Sequence, residues 1–402
     1  MRGLLLAVIL TAGASAQSPI DPAQIPALLG GVAQRPAGSP LRCGFSSIPP
    51  VLDFTFRFEA GYAFHLSTEQ YKAGPHAWAV ITKVTPRGGE GKPSWLYTRN
   101  GADLLKTAGF NLEISGAYLL GQGSYAFEST LYDDAGGSCQ HKWTVHASLA
   151  RSQRRVQLSM PPFAVRATGG LSDVDWKPAA GGSALTILLD ASPIAARRTR
   201  LNSDDRDFSV RALTAVVQRL PASSVRLVVF SLDKQKEIFR RDAFSIDAIG
   251  EVRKAIATIE LSAVDVSVLE KPLGYIDFLA ALIERELTAT APSSTVVLLG
   301  PLSRYGGKFP KGMLNPTDAT QFFYVQYKPD PQGLFSRAGV GEVSSPPSPG
   351  APYSLGGFAA GFPPGPYADI INAAMISLKG KTLVVRTPAD LARAIAAIQN
   401  AR

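Results

Sequence analysis

Cysteine and histidine, which often carry nucleophilic, redox or transition-metal chemistry, are scarce in this chain: its 402 residues include two cysteines and four histidines. The sequence holds no nucleophile elbow G-x-S-x-G, no zinc helix H-E-x-x-H, no C-x-x-C pair and no phosphate loop G-x-x-x-x-G-K-[ST]. His141 and His146 are an odd number of residues apart, so they would lie on opposite faces of one strand. The sequence therefore predicts isolated surface histidines and a protein that is not an enzyme. A hydrolase with an unrecognised active site is the alternative.

Charged residues offer two further sites where chemistry could occur. Three aspartates at positions 204, 205 and 207 could attract a cation, but they fit better as the first turn of a helix, where negative charge is favourable. Arginines gather at positions 151, 154 and 155 and again at 197, 198 and 200. These clusters could attract a polyanion, although a solvated basic surface is the simpler interpretation. No aromatic residues interleave with them, so specific nucleic-acid recognition is not expected.

The first residues predict export. Arg2 supplies a positive start, Leu4 to Leu10 is an uninterrupted apolar run, and Ala14-Ser15-Ala16 is a small-residue cleavage pattern. We expect a signal peptide over residues 1–16, cleaved near Ala16-Gln17, and a protein that is periplasmic or secreted. No later stretch approaches the roughly 20 apolar residues that a membrane span needs, so no membrane span is expected.

Export would place the two cysteines in an oxidising compartment, where they can form a disulfide. Cys43 and Cys139 both lie in the first half of the chain, and exported proteins form disulfides where cytosolic proteins rarely do. The sequence favours a bridge between them, with two buried free thiols as the alternative.

The elements that would position these residues fall into two halves. After a Pro- and Gly-rich linker over residues 17–42, residues 43–165 show short stretches of alternating apolar residues, typical of an antiparallel sandwich. Gly123-Ser124-Tyr125 resembles the Gly-x-Tyr corner of immunoglobulin-like domains, in which a tyrosine hydroxyl fixes a turn. We therefore expect an immunoglobulin-like β-sandwich in this half.

In the second half of the chain, after a Gly- and Ala-rich linker over residues 166–184, the spacing of apolar residues changes. Residues 185–402 alternate continuous apolar runs with helical periodicity, and a Pro- and Gly-rich insertion interrupts them at 329–366. This alternation predicts an α/β domain with a doubly wound, mainly parallel sheet.

The run from Leu185 to Asp190, continued by Ala191-Ser192, resembles the start of a von Willebrand factor type A domain, whose Asp-x-Ser-x-Ser motif binds a divalent cation. Asp190 and Ser192 match the first two ligand positions, but Ile194 stands where the second serine would be. The threonine expected before the mid-domain helix is missing from residues 271–277, and Gly300-Pro301 replaces the expected carboxylate. The resemblance implies a degenerate metal site and no cofactor, with residual Mg²⁺ binding as the alternative.

Together these patterns predict a non-enzymatic exported protein that mediates adhesion or scaffolding through a protein partner, without metal. Metal-dependent adhesion through a residual magnesium site is the alternative within this class. Ligands of open α/β sheets sit at the carboxyl ends of the strands. The expected contact surface comprises Asp190, Ser192, Arg197, Arg198, Tyr275, Asp277, Arg304 and Tyr305.

Overall fold

The computed structural model describes most of the chain. The described residues are 17–30, 41–88, 91–104, 111–168, 176, 178–194, 201–259, 268, 270–289, 292–328, 339–343 and 368–401. The expected signal peptide, and Arg197 and Arg198 of the expected contact surface, lie outside these residues, as does most of the insertion at 329–366.

The elements are given in chain order. The strands are β1 (Ser18–Pro19), β2 (Cys43–Leu52), β3 (Phe58–Ser67), β4 (Gly74–Arg87), β5 (Ser94–Leu104), β6 (Asn111–Leu120), β7 (Gly123–Asp133), β8 (Ser138–Ala147), β9 (Val165–Ala167), β10 (Ser183–Asp190), β11 (Ala222–Ser231), β12 (Lys236–Arg241), β13 (Thr295–Pro301), β14 (Gln321–Tyr327), β15 (Gly339–Val343) and β16 (Lys381–Val385). The helices are α1 (Ile25–Leu29), α2 (Ser203–Arg219), α3 (Ile249–Ala257), α4 (Gly274–Leu287), α5 (Ile370–Ser377) and α6 (Pro388–Gln399).

Two antiparallel sheets form the first part of the fold, called the sandwich below. One has the strand order β1-β5-β4-β7-β8, and the other has the order β15-β6-β3-β2, with β9 paired to β6. Alternate residues of β7 point inward, as in a strand with one buried face. Aromatic rings fill the space between the sheets: the ring centroids of Tyr118 and Phe127 are 4.5 Å apart, and those of Phe127 and Trp143 are 5.1 Å apart.

A disulfide joins the two sheets. Cys43 on β2 is bonded to Cys139 on β8, with their Cα atoms 6.5 Å apart, so the predicted bridge is confirmed. The expected tyrosine contact is also present, because the hydroxyl of Tyr125 donates a hydrogen bond of 2.8 Å to the carbonyl oxygen of Gly121.

Segments from outside the expected sandwich complete its sheets. Within the region expected to be a linker, β1 pairs with the edge strand β5, and Leu29 of α1 packs near Ala79 and Ile81 on the outer face. From the insertion at 329–366, β15 pairs antiparallel with β6. Both pairings join residues far apart in the sequence, which a local pattern cannot report.

A six-stranded mixed sheet forms the second part, called the mixed-sheet module below. Its order is β12-β11-β10-β13-β14-β16, and β12 runs antiparallel to β11 while the other pairs are parallel. Helices α2, α3 and α6 share a core with one face of the sheet, and α4 and α5 share a core with the other. The continuous apolar run of β10 is explained by burial on both faces.

The expected fold class, a doubly wound mainly parallel sheet behind an immunoglobulin-like sandwich, is wrong for this chain. The strand pairing is mostly antiparallel, and among the described residues about 41% are in strands and 26% in helices, in two antiparallel sheets and one mixed sheet. Buried apolar runs dominated the prediction, which did not include β12, because its charged, half-exposed residues carry no such run. Nor did the prediction include β1 and β15, which extend the antiparallel sheets.

Charged and aromatic side chains connect the two parts. Arg211 of α2 forms ion pairs with Asp53 at 3.0 Å and with Glu59 at 2.5 Å, and all three side chains are largely buried. Burial raises the pKa of Glu59, although Arg211 opposes the rise. The ring of Phe54 meets that of Phe208 edge-on, with centroids 4.6 Å apart. The sandwich and the mixed-sheet module therefore share one continuous core.

Candidate functional site

Asp190 is the last residue of β10 and lies beneath the surface at the carboxyl end of the mixed sheet. It is 1% exposed, and its Oδ1 accepts a hydrogen bond of 2.7 Å from the hydroxyl of Ser192, which is 9% exposed. Its Oδ2 is buried and has no hydrogen-bond partner among the described residues. A Cβ atom at Gly300 on the neighbouring strand would come within 2.8 Å of the Asp190 Cβ, so glycine leaves room for this side chain.

The environment of Asp190 favours its neutral form. Desolvation raises the pKa of this carboxyl well above its usual value, and the charges of Asp233 and Asp369 raise it further. The hydrogen bond from Ser192 and the charge of Arg304 act in the opposite direction. A buried carboxyl with a strongly raised pKa is unusual and is more frequent at functional sites than elsewhere.

Asp233, in the loop after β11, holds the half-buried side chains of Arg304 and Tyr305 in place. Its Oδ1 accepts hydrogen bonds from Arg304 Nε at 2.7 Å and from the Tyr305 hydroxyl at 2.6 Å. The guanidinium of Arg304 also lies 5.6 Å from the centroid of the Tyr305 ring. Burial raises the pKa of Tyr305 to about 12, and Asp233 contributes to the rise.

Tyr275 extends this arrangement to the first turn of α4. Its ring centroid lies 4.6 Å from that of Tyr305, and its hydroxyl donates a hydrogen bond of 2.8 Å to the carbonyl oxygen of Gly306. Arg304, Tyr305 and Tyr275 thus form a stacked group held by Asp233. We call these four residues, together with Asp190 and Ser192, the strand-end site.

Asp369 fixes the loop that carries Arg304 and Tyr305. One oxygen caps the amino terminus of α5, and the other accepts hydrogen bonds from Tyr324 at 3.0 Å, Gln326 at 2.8 Å and the backbone of Ser303 at 3.3 Å. The backbone N–H of Ile370 donates to the carbonyl oxygen of Tyr305. The loop after β13 is therefore held from below by buried polar contacts.

Among the described residues, the carboxylates at this end form no cluster of three ligand atoms. Magnesium prefers six oxygen ligands in nearly octahedral geometry. Among the described residues, three ligand atoms from histidine, cysteine or carboxylate side chains lie within 4.8 Å of one another only at Cys43, Cys139 and His141, far along the chain from this site. Gly300 and Pro301 supply no carboxylate, and the nearby Asp233 and Asp369 are engaged by Arg304, Tyr305, Tyr324 and Gln326.

Exposed residues surround the stacked group. Leu273 precedes α4 and is 64% exposed, which is high for a large apolar side chain. Lys271 and Asp277 in the same stretch are exposed, and so is Lys308 in the loop after β13. This end of the sheet thus offers an exposed apolar residue, a half-buried tyrosine ring and a half-buried arginine within a charged rim, while Tyr275, which is 7% exposed, packs against Tyr305.

The expected site residues divide into two groups. Tyr275, Arg304 and Tyr305 come together, and Asp277 lies exposed in the same turn as Tyr275. Asp190, Ser192 and Tyr275 are buried, at 1%, 9% and 7% exposed, and offer little area for contact.

Three contributors were not predicted from the sequence. Asp233 lies two residues after the apolar strand β11, and Asp190 ends the apolar strand β10, so the criterion that found Asp190 could have found Asp233. Leu273 lies two residues before Tyr275, which was part of the expected surface, but was not itself predicted. Asp369 follows a Pro- and Gly-rich segment, and no local pattern marks it.

Comparisons with known proteins give no family. No family model matches the sequence, and no curated protein matches it. A solved structure of β-glucuronidase from Bacteroides uniformis is 10% identical, with a TM-score of 0.16, over 71% of this chain and 36% of the enzyme. The chain thus spans about a third of the length of that enzyme, and a likeness this weak carries no argument about fold or function.

No helix in the described ranges is long and apolar enough to cross a membrane.

Proposed function

We propose that this protein is an exported, non-enzymatic binding protein that holds a protein partner on the strand-end site without a metal ion. The observation that carries the proposal is the half-buried pair of Arg304 and Tyr305, packed against the buried Tyr275 and beside the exposed Leu273. Tyrosine and arginine are enriched among the residues that dominate binding energy in protein interfaces.

The rigidity of this group supports a role in binding. Asp233 holds both Arg304 and Tyr305, so their side chains lose little conformational freedom when a partner arrives. Leu273 supplies apolar area next to them. The exposed Lys271 and Lys308 at the rim favour a partner with acidic residues opposite them, and such pairs would accelerate association at low salt.

One observation in the sandwich supports the proposed export. The Cys43–Cys139 disulfide is compatible with an oxidising compartment. Gln17, the first residue after the expected cleavage site, is 3% exposed and donates a hydrogen bond of 2.8 Å to the Tyr62 hydroxyl. An intact-mass measurement of the exported protein tests the cleavage: a mature chain starting at Gln17 is expected, and retention of Met1 or Arg2 contradicts it.

Site-specific cross-linking tests the binding surface. A photo-reactive amino acid at Leu273 is expected to capture one defined partner in intact cell envelopes, identified by mass spectrometry. The matched control is the same amino acid at Val384, an apolar residue that is 47% exposed on the edge strand β16. The captured partner should then bind Tyr305→Ala or Arg304→Ala at least tenfold more weakly. Equal capture from both positions, or unchanged affinity in both variants, contradicts the proposal.

A further inference from the structure

Three side chains with metal-binding atoms meet where the two sheets of the sandwich are joined. Cys43 comes from β2, and Cys139 and His141 come from β8, where their even spacing places both on the inward face. The Nε2 atom of His141 lies 3.6 Å from the Sγ atom of Cys43. The ligand atoms of the three residues all lie within 4.8 Å of one another, and each residue is half-buried.

Aromatic packing fixes the orientation of the imidazole. The His141 ring stacks on Phe45 with centroids 4.6 Å apart and an angle of 9° between the planes, and it meets Phe64 edge-on at 5.9 Å. Its Nε2 atom is thereby directed toward the disulfide. A metal ligand held this way needs little reorganisation on binding.

We propose that Cys43, Cys139 and His141 form a zinc-type metal site that opens when the disulfide is reduced. Two thiolates and one imidazole are the ligands of known tetrahedral zinc sites, in which a fourth position can remain open to solvent. With Zn–S bonds of about 2.3 Å, two sulfurs on one tetrahedral metal lie about 3.8 Å apart. Side-chain rotation can provide this separation between cysteines whose Cα atoms are 6.5 Å apart.

The chemistry balances with a dithiol as reductant. One thiolate of the dithiol attacks a cystine sulfur, the bond between Cys43 and Cys139 breaks, and a mixed disulfide forms. The first attack releases one cysteine as a thiolate; the second thiol of the reductant then attacks the reductant sulfur of the mixed disulfide, closes a ring and releases the other cysteine. Two electrons pass from the dithiol to the cystine. Metal binding afterwards displaces two protons from the thiols to solvent. The disulfide and the metal therefore exclude each other.

Cobalt titration of the mature chain tests the site. The chain is reduced with dithiothreitol without oxygen, passed through a desalting column, and titrated with Co²⁺ alone. We expect one equivalent to bind, with sulfur-to-cobalt charge transfer in the near ultraviolet and the visible band of tetrahedral cobalt. The unreduced chain should show neither band, and Zn²⁺ should remove both.

His141→Ala distinguishes a three-residue site from two loose thiols. This variant should bind Co²⁺ at least tenfold more weakly. His146→Ala, at an exposed position on the same strand, should bind as the unaltered chain does. Near-ultraviolet circular dichroism checks the reduced fold, and Zn²⁺ should raise the Tm of the reduced chain but not that of His141→Ala. Absence of the charge-transfer band, or equal binding by His141→Ala, overturns the proposal.

Discussion

The sandwich and the mixed-sheet module both bury carboxyls, but they compensate for the burial differently. In the sandwich, Asp133 is 3% exposed, and its Oδ1 accepts a hydrogen bond of 2.6 Å from the backbone N–H of Gly137. The buried hydroxyls of Thr82 and Ser129 likewise pair with each other, 2.6 Å apart. In the mixed-sheet module, Asp190 is 1% exposed, and its Oδ2 has no hydrogen-bond partner among the described residues. Burial of an ionisable group costs much more than burial of a paired hydroxyl. The difference indicates that the sandwich serves mainly as a scaffold, while the module retains groups that stability alone would not favour.

Removal of the disulfide should have the largest effect, and it acts on the sandwich. Cys139→Ser opens a loop closed across 96 residues, which the chain-entropy model values at about 4–5 kcal/mol. Urea unfolding of the variant should show a loss of this order, and denatured wild-type protein should contain no titratable thiol. Ser138→Ala, at the neighbouring exposed position, is the control. A loss below about 1 kcal/mol would mean that the bridge contributes little.

Arg211→Met should have the next largest effect, because it acts where the two regions meet. It leaves Asp53 and Glu59 largely buried without their cationic partner, and such a change typically costs about 3–5 kcal/mol. Thermal and urea unfolding would measure the loss. Lys142→Met breaks an exposed pair with Glu128 and should cost less than about 1 kcal/mol. Similar losses in the two variants would refute the structural importance of the junction.

Asp190→Asn tests the cost of the buried carboxyl. Because the folded pKa is raised above the unfolded one, the folded state holds the proton more tightly, and stability falls as pH rises from the unfolded pKa toward the folded one. Asparagine cannot ionise, so the variant escapes this loss. Its free energy of unfolding, relative to that of the wild type, should be about 1 kcal/mol or more higher at pH 8 than at pH 4.

A sandwich variant provides the comparison for this result. Thr82→Val removes a neutral buried hydroxyl, so it should destabilise the protein by about the same amount at every pH, roughly 1 kcal/mol. Urea unfolding across this pH range measures both variants. An unchanged pH profile in Asp190→Asn would show that Asp190 ionises normally.

Addition of divalent cations should have the smallest effect. Mg²⁺, Ca²⁺ or Mn²⁺ at millimolar concentration should shift the Tm by less than about 1 °C, since a Kd near that concentration gives less than about half a kcal/mol. The control is Asp190→Ala, which removes the charged ligand position. A Tm shift above about 3 °C that disappears in this variant would support the alternative function, metal-dependent adhesion.

Local patterns predicted the elements that carry a strong apolar signal. The apolar run that ends at Asp190 is the strand β10, and the helical spacing of Ile249, Val252 and Ile256 is the buried face of α3. The same run placed Asp190 at a strand end, and the surface around Tyr275 and Arg304 followed from that position.

Other features depend on contacts between distant residues. The junction between Arg211 and Glu59 joins residues 152 positions apart, and no spacing rule reports such a pair. The strand β12 runs antiparallel because of its pairing with β11. The charged, half-exposed residues of β12 give no local signal of this pairing. The depth of Asp190 depends on Gly300 and on the loop held by Asp369, so the sequence suggested a surface ligand where the structure has a buried acid.

The position of the disulfide has a mechanical consequence. When the chain is pulled from its two ends, force passes directly from Cys43 to Cys139, which are 96 positions apart, so the stretch between them bears no load while the bridge is intact. At about 3.4 Å per extended residue, reduction would release about 330 Å of additional contour length. Under tension the chain would thus extend over a shorter distance when oxidised and over a longer distance when reduced.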